Sequence, residues 1–517
     1  MDYPCNIIFE ERKIKYNFFL DKAKYYFNIN DLSTSIKYCE IAARYATEVH
    51  SGFFYDAVLE NLLKQISSNL FNPRNEIGKS RKDCDNILHI ATQVADTGGH
   101  TRLLLNWIDN DKSSNRKNDI LLTNMPNNHF PDELLNSYSN TFNITKIVTN
   151  DNDVHRIKTI REIALRYDFI VLHIHPEDVQ TVIALSGLNK PIIFMNHADH
   201  RFWVGRSISN LVLEFRDEGA KTSNLRRDIL PKNQYIIPII LKKPINISKR
   251  EARKQIGIEQ DKIIIFSVAS SYKYKTIDNN GLSDVIINLA NKFNNLQFIF
   301  IGPHSSESYW KEIIEATKGK VLVLGEITNI ELFYISADIY LDSYPIGSLT
   351  SLLDAVKYKL PIISVKRNVS TCEVSDISLD DDFKVNSLEE LEKKLELLIC
   401  DISERQYLIE KYYERVYKYH VWNSNSDILD HLYKRAFNES KLANEQTQNV
   451  LMEERDNSIA FLYFKNRSRN FEFSKVWAWY YEKLPFNEKE EYLEYLSVNF
   501  KENTDEYYAL LPKTFKR

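Results

Sequence analysis

Short apolar runs alternate with helix-length segments through most of this chain, and the alternation comes in two blocks. The first block holds the runs ILHIATQV, DILLTN, DFIVLHIH, PIIFMNH and NQYIIPII. The second block holds the runs KIIIFSVAS, LQFIFIG, KVLVLG, DIYLDS and PIISV. Strands that recur after helix-length spacers are typical of parallel sheets with helices on both faces. The sequence therefore predicts an α/β fold with two Rossmann-like domains in tandem.

The ends of the chain are predicted to be helical extensions of these domains. A chain of 517 residues is too long for one hydrophobic core. Apolar residues recur at helical spacing near the N-terminus, and the C-terminal segment is polar, helical and rich in Tyr and Trp. The expected division is an N-terminal helical domain, two Rossmann-like domains and a Tyr-rich C-terminal extension, in residues 1–80, 81–243, 244–423 and 424–517.

Composition argues against several classes of protein. A net charge of -4 argues against a general nucleic-acid binder. The five cysteines are scattered without a CxxC pair, so neither structural disulfides nor a bound metal is expected. No apolar run approaches the length that spans a bilayer, and the N-terminus has no secretory pattern. We therefore expect a cytoplasmic protein, and peripheral association with the inner face of the membrane stays open.

The segment DSYPIGSLTSLLDA, residues 342–355, has the pattern of a strand end, a small-residue turn and a helix start. At such a turn the first N–H groups of the helix have no partner within it, and the positive end of the helix dipole favours a phosphate. Thr350 and Ser351 could add hydroxyl donors, and Asp354 could accept a hydrogen bond from a ribose hydroxyl. The segment predicts a nucleotide pocket.

A second turn of this kind lies in the first block, in the segment TGGHTR. Gly98 and Gly99 let the backbone approach a ligand closely, and His100 and Arg102 add polar groups. Helical periodicity resumes directly after them. Strand-to-helix turns with small residues occur throughout α/β folds, so either turn alone is a weak signal for a ligand.

Together, the two Rossmann-like domains, the GGHTR loop and the DSYPIGSLTSLLDA loop resemble glycosyltransferases of the GT-B fold, over roughly residues 87–421. The resemblance implies that the second domain binds a nucleotide-diphosphate sugar, that the first binds the acceptor, and that the domains face each other across a cleft. It also implies donor-binding residues, which are the diphosphate-binding Gly347, Ser348, Thr350 and Ser351, the ribose-binding Asp354, and Gly302 and Tyr344.

The segment FSVASSYKYK resembles the other half of the donor site, where a basic side chain neutralises the diphosphate. Negative charge develops on the nucleoside diphosphate as it leaves, and Lys273 or Lys275 could stabilise that charge without a metal or other cofactor. Many retaining GT-B enzymes have Arg where Ser270 stands here, and SSYK is more similar to the family of O-GlcNAc transferase and bacterial protein glucosyltransferases. On charge alone, a solvated loop is the more ordinary interpretation of both lysines.

The segment NHADHRFWVG follows the apolar run PIIFM, at the edge where open α/β sheets bind ligands. His197 is the first candidate for a general base toward the acceptor, and Asp199 could orient it or act as the base itself. His200 adds a third polar group. The alternative is a His and Asp pair that only fixes a turn.

Six further positions complete the acceptor side that the resemblance implies, namely Gly98, Gly99, His100 and Arg102 of the GGHTR loop, His175 and Glu373. His175, in VLHIHPED, is expected at the cleft, as are the polar groups of the GGHTR loop. Glu373, in VSTCEVSD, corresponds in position to an acidic residue that contacts the sugar in many GT-B enzymes, although the glycines that surround that residue are missing here.

These features predict a glycosyltransferase that moves a sugar from a nucleotide-diphosphate donor, expected to be a UDP-sugar, to a saccharide, glycolipid or protein acceptor. An inverting reaction needs one base, whereas in a retaining reaction the leaving phosphate can accept the proton. The alternative is a non-catalytic GT-B subunit that recognises the acceptor for an active partner. An epimerase is disfavoured by the helical extensions, and a dehydrogenase by the absent GxGxxG spacing. Self-association through the helical ends stays open.

Overall fold

The computed structural model describes residues 5–71, 86–94, 99–111, 116–125, 142–148, 152–241, 243–275, 281–327, 329–367, 373–420, 426–442, 469–512 and 515. The chain folds into two compact units. The first unit comprises Met1–Glu214, Gly219–Ile236 and Ser424–Arg517. The second unit comprises Phe215–Glu218 and Ile237–Asn423. Both ends of the chain therefore belong to the first unit.

The first unit contains a parallel sheet of seven strands in the order β3-β2-β1-β4-β5-β6-β7. These strands are β1 Asn86–Ala91, β2 Lys117–Met125, β3 Ile144–Val148, β4 Phe169–His173, β5 Ile192–Met195, β6 Leu211–Glu214 and β7 Gln234–Ile236. The intervening helices are α4 Gly99–Asp111, α5 Asp153–Ala164, α6 Val179–Leu185 and α7 Asp217–Arg227. Strands β1, β4, β5 and β6 are almost wholly buried, as in sheets covered on both faces.

The second unit contains a parallel sheet of six strands in the order β10-β9-β8-β11-β12-β13. These strands are β8 Ile263–Val268, β9 Leu296–Ile301, β10 Val321–Val323, β11 Ile339–Leu341, β12 Ile362–Val365 and β13 Lys384–Val385. The helices are α8 Lys249–Gln255, α9 Leu282–Lys292, α10 Ser308–Ala316, α11 Glu331–Ser336, α12 Leu349–Lys357, α13 Leu388–Cys400 and α14 Ile402–His420. The predicted alternation of strands and helices is confirmed in both blocks.

The helices of the two chain ends belong to the first unit, and all of them except the one at Ser426–Asn438 share one hydrophobic core with its sheet. They are α1 Cys5–Asn28, α2 Leu32–Glu48, α3 Ala57–Leu70, α15 Ser426–Asn438, α16 Arg469–Ala478, α17 Phe486–Phe500 and α18 Thr504–Leu510. The ring of Phe19 on α1 stacks on Phe473 on α16 with centroids 4.7 Å apart. The carboxylate of Glu488 on α17 is buried and accepts hydrogen bonds from the hydroxyls of Tyr26 and Tyr38. The N-terminal and C-terminal helices thus stabilise each other.

A buried polar network connects α15 to the first sheet. The hydroxyl of Tyr433 accepts a hydrogen bond from the Trp107 indole at 2.7 Å and donates one to Asp111 at 3.1 Å. The amide of Asn118 also donates to Asp111, at 3.0 Å. Because buried polar groups are costly unless they are paired, this network fixes where α15 packs.

Three negative findings concern the part of the chain that is described. No described helix is both long enough and apolar enough to cross a bilayer. Within the ranges given above, no three His, Cys, Asp or Glu side chains are grouped so that they could hold a metal ion. Cys39 and Cys400 are free thiols, the first buried and the second exposed.

Candidate donor and acceptor sites

The predicted nucleotide loop joins β11 to α12 at the carboxyl edge of the second sheet. Asp342, directly after β11, is buried, and its Oδ1 accepts the N–H of Ser348 at 2.9 Å. Ser348 is the residue before α12, and Leu352 and Leu353 bury the inner face of that helix. The first N–H groups of α12 have no partner within the helix, and the helix dipole makes this end positive. The loop therefore presents a positive helix terminus at the sheet edge where α/β folds bind ligands.

Lys273 lies at this helix terminus. It belongs to a 3₁₀ turn after β8, and its Nζ donates to the carbonyl oxygen of Gly347 at 3.0 Å and to Oγ of Ser348 at 3.3 Å. Lys275 points elsewhere, because its Nζ pairs with Glu307 at 3.5 Å and its side chain is 51% exposed. Of the two lysines that the sequence offers, Lys273 is the one that the fold brings to the loop.

Glu307 is the ion-pair partner of Lys275. Burial opposes ionisation, but hydrogen bonds from the Ser271 hydroxyl and the His304 N–H, together with Lys275, lower the pKa of Glu307. The acid is therefore held as a carboxylate that binds Lys275.

The polar side chains of α12 lie along its first turns. The Oγ atoms of Ser348 and Ser351 are 3.2 Å apart, and Thr350 is exposed. The carboxylate of Asp354 is 19% exposed and lies 3.1 Å from Nζ of Lys357. Tyr344 is half-buried in the preceding loop. These side chains can hydrogen-bond a polar ligand seated over the helix terminus.

Two glycines of the predicted donor set are closely packed. Gly302 has φ +111, and a Cβ there would lie 2.1 Å from the carbonyl oxygen of Ala269. A Cβ on Gly347 would lie 2.1 Å from Cγ2 of Val374. Only glycine fits at position 302, where the contact is with backbone and φ is left-handed, whereas at position 347 the buried Val374 side chain would have to move.

Arg367 lies beneath the loop and was not predicted from the sequence. Arg367 follows β12, and its guanidinium pairs with Asp342 at 2.8 Å with both side chains buried. The N–H of Arg367 donates to Oε2 of Glu373 at 2.6 Å, and Lys384 pairs with Oε1 of Glu373 at 2.9 Å. Glu373 is thus tied to the backbone and to a cation of its own unit. No spacing rule signals Arg367, because a basic residue after a strand is common.

In the first unit, the NHADH turn follows β5 as predicted. Asp199 is buried, and its Oδ1 lies 3.3 Å from Nδ1 of His200. The Arg227 guanidinium donates to the carbonyl oxygen of Asp199 at 2.8 Å. His197 is half-buried beside them. The three polar residues of the turn are therefore neighbours, and Asp199 is the most buried of them.

A second carboxyl group lies next to Asp199 and was not predicted. Glu214 ends β6, and both of its carboxylate oxygens accept from the Asn196 amide, at 2.9 and 3.0 Å. Burial raises the pKa of Glu214 to about 7, and the Asp199 carboxylate adds to the rise while Arg227 opposes it. Burial also affects Arg227, whose pKa it lowers to about 10. The turn after β5 is thus electrostatically coupled to β6 and α7.

The remaining predicted residues are placed as follows. His175 is half-buried in the loop after β4, and its N–H donates to Oγ1 of Thr92 at 2.8 Å. Gly98 lies outside the described residues. Gly99, His100 and Arg102 belong to the first turn of α4.

No family model matches this sequence, and no curated protein matches it significantly. In structure, the chain is similar to a glycosyltransferase from Rickettsia africae, with a TM-score of 0.52 and 13% identity over 69% of this chain and 99% of that chain. It is similar to HepE from Anabaena in complex with UDP and glucose, with a TM-score of 0.52 and 13% identity over 67% of this chain and 98% of that chain. It is also similar to TarM, with a TM-score of 0.52 and 11% identity over 71% of this chain and all 100% of that chain.

The chain has the GT-B fold. The predicted fold class is confirmed, with one sheet in each unit. The three similar proteins are matched over nearly their full length, whereas about 30% of this chain lies outside the match. This chain therefore has residues beyond the region that it shares with the three proteins.

Proposed function

We propose that this GT-B chain is a glycosyltransferase that transfers a sugar from a nucleotide-diphosphate donor, a UDP-sugar, to a saccharide, lipid-linked saccharide or protein acceptor. The observation that supports this most strongly is the position of Lys273, whose ammonium donates to the Gly347 carbonyl at the N-terminus of α12. A cation and a helix terminus at one point form a favourable environment for a diphosphate. UDP in the HepE structure is consistent with a uridine nucleotide.

In the proposed reaction, the bond between the sugar and the diphosphate breaks, and the nucleoside diphosphate leaves. Lys273 and the first N–H groups of α12 stabilise the charge that develops on it, so the reaction needs no metal. The hydroxyls of Ser348 and Ser351, 3.2 Å apart, donate to the same group. Asp354, further along α12, accepts from the ribose hydroxyls.

The acceptor is bound by the first unit. In an inverting reaction, its attacking hydroxyl gives a proton to Asp199 or to His197, which share the turn after β5. His200 orients the Asp199 carboxylate. In a retaining reaction, the leaving diphosphate takes that proton instead.

The experiment is a thermal-shift screen of UDP, GDP, ADP, CMP and their sugars against wild type and Asp354→Ala. A ligand that binds only the folded state adds about 2.7 kcal/mol of stability at one hundred times its Kd. We expect UDP to stabilise wild type and to lose most of this effect in Asp354→Ala. The matched control is Asp284→Ala, which removes an exposed aspartate from α9 of the same unit.

A shift that Asp284→Ala keeps and Asp354→Ala loses supports a donor site on α12. If no nucleotide stabilises wild type, the alternative of a non-catalytic GT-B subunit takes its place.

A further inference from the structure

Arg367 makes an unusually complete set of contacts with the loop between β11 and α12. Its guanidinium donates to the Asp342 carboxylate at 2.8 Å, to the Ser364 hydroxyl at 2.8 Å and to the Pro345 carbonyl at 3.0 Å. It also donates to the carbonyl of Ser343. The side chain is only 3% exposed. Arg367 therefore acts on the backbone of this loop rather than on solvent.

These contacts turn the carbonyl oxygens of the loop inward. Arg367 binds the carbonyls of Ser343 and Pro345. The Ser343 hydroxyl donates to the carbonyl of Ile346 at 2.7 Å, and Lys273 binds that of Gly347. A carbonyl oxygen that faced a diphosphate would repel it, because both carry negative charge. With the carbonyls of Ser343, Pro345 and Ile346 held by Arg367 and the Ser343 hydroxyl, the helix terminus can offer its N–H groups to an anion.

The loop also lies directly against the ion pair. A Cβ on Gly347 would be 3.1 Å from Oδ2 of Asp342 and 3.3 Å from Cζ of Arg367. Asp342 itself accepts the N–H of Ser348, so the pair holds both ends of the loop. A movement of either charged group would therefore displace the loop backbone.

We propose that the buried pair Asp342–Arg367 is a positioning device that keeps the carbonyls of Ser343 and Pro345 away from a bound nucleotide diphosphate. This inference rests on the proposed function. Arg367 touches no donor atom in this role and acts through the loop. Its removal should lower donor affinity by more than its effect on folding explains, because the freed carbonyls can turn toward the diphosphate.

The chain offers a matched control in Arg253. This buried guanidinium pairs with Asp338 at 2.8 Å and donates to the carbonyls of Ser336 and Gln260, at 3.0 and 2.7 Å. It belongs to the same unit, and these partners lie outside the loop of residues 342–348. Loss of either arginine breaks a buried ion pair and leaves carbonyls unpaired, so both variants should be destabilised.

The test compares Arg367→Met, Arg367→Lys and Arg253→Met with wild type in the full chain. The readouts are the unfolding midpoint and the Kd for UDP by calorimetry, measured well below every midpoint. We expect Arg367→Met to bind UDP at least tenfold more weakly than wild type and Arg253→Met to bind it within twofold. Arg367→Lys keeps the charge and should recover part of the affinity. Hydrogen exchange of residues 343–351 should become faster in Arg367→Met alone.

Two outcomes would overturn the inference in different ways. Wild-type UDP affinity in Arg367→Met, or an equal loss in Arg253→Met, would overturn the positioning role and leave the proposed function intact. Failure of wild type to bind UDP, GDP or ADP would overturn the proposed function and this inference with it.

Discussion

Nζ of Lys357 lies 3.1 Å from Oδ1 of Asp354, one turn along the same helix α12. The lysine is buried, so its ammonium pairs with Asp354 away from bulk water and constrains the direction of the carboxylate. If Asp354 binds ribose, Lys357 determines where the carboxylate oxygens point.

Lys357→Met should therefore raise the KM for the donor and change kcat less. The expected effect is about three- to tenfold, since a hydrogen bond to a charged group is worth about 1.5–3 kcal/mol and only part of it is lost. Donor saturation curves measure the effect. Lys311→Met, on the exposed face of α10, is the control. An unchanged KM in Lys357→Met would contradict the role of the pair.

The two candidate lysines of the donor site can be separated by mutation. Lys273→Met should lower kcat/KM by about a hundredfold, the usual cost of removing one group that stabilises developing negative charge. Lys275→Met should lower kcat/KM by less than about fivefold, because Lys275 is half-exposed and paired with Glu307. Steady-state kinetics of both variants give the comparison. A larger loss in Lys275→Met would show that the loops rearrange when the donor binds.

Glu214 should make stability depend on pH. Its pKa is raised from 4.5 to about 7 in the folded chain, so the folded state binds the proton more tightly than the unfolded state. This contribution to stability is present below pH 4.5, falls between pH 4.5 and 7, and is absent above pH 7. A shift of this size corresponds to about 3 kcal/mol.

Urea unfolding at pH 5, 6, 7 and 8 tests this expectation. Glu214→Gln cannot titrate, so the free energy of unfolding of this variant should fall less than that of wild type as the pH rises. Between pH 5 and pH 8, the free energy of unfolding of wild type should fall by about 2–3 kcal/mol more than that of Glu214→Gln. Glu259→Gln, at an exposed position, should follow wild type. If the free energies of unfolding of wild type and Glu214→Gln changed with pH in parallel, the pKa of Glu214 would not be raised in the folded state.

Glu488 should be important for the packing of the two chain ends. It accepts from Tyr26, from Tyr38 and from Lys22 at 3.1 Å in a buried position. Glu488→Leu should lower the free energy of unfolding by about 3–5 kcal/mol, as in other buried ion pairs that lose one partner. The control is Glu494→Leu on the exposed side of the same helix. Urea unfolding followed by circular dichroism measures both. Equal stability of the two variants would mean that the hydrogen bonds of Glu488 contribute little to the packing of the chain ends.

The strand runs could be read from the sequence because they are apolar and bounded by polar or small residues. Three strands were missed, namely β3, β6 and β13. Each is short, from two to five residues. Length alone does not explain the omission, because β7, β10 and β11 have three residues each and were predicted. The missed strands are fixed by pairing with neighbours, such as Val212 of β6 beside Phe194 of β5, and that pairing is not visible in local periodicity.

In the candidate sites too, the local structure could be predicted from the sequence, whereas the contacts between elements could not. The local order of residues in DSYPIGSLTSLLDA is enough to specify a strand end, a turn and a helix start, because these depend on near neighbours. The same holds for the turn after β5. The partners that complete each site come from the neighbouring strand of the sheet: Arg367 follows β12 and binds Asp342 after β11, and Glu214 ends β6 and lies beside Asp199 after β5.

The sequence by itself therefore determined the two-domain α/β architecture and the position of a positive helix terminus. Tertiary structure decided which lysine reaches that terminus, which arginine lies beneath the loop, and which carboxyl lies beside Asp199. The physical reason is that ion pairing and desolvation depend on distances between elements far apart in the chain. Spacing within one segment contains no information about those distances.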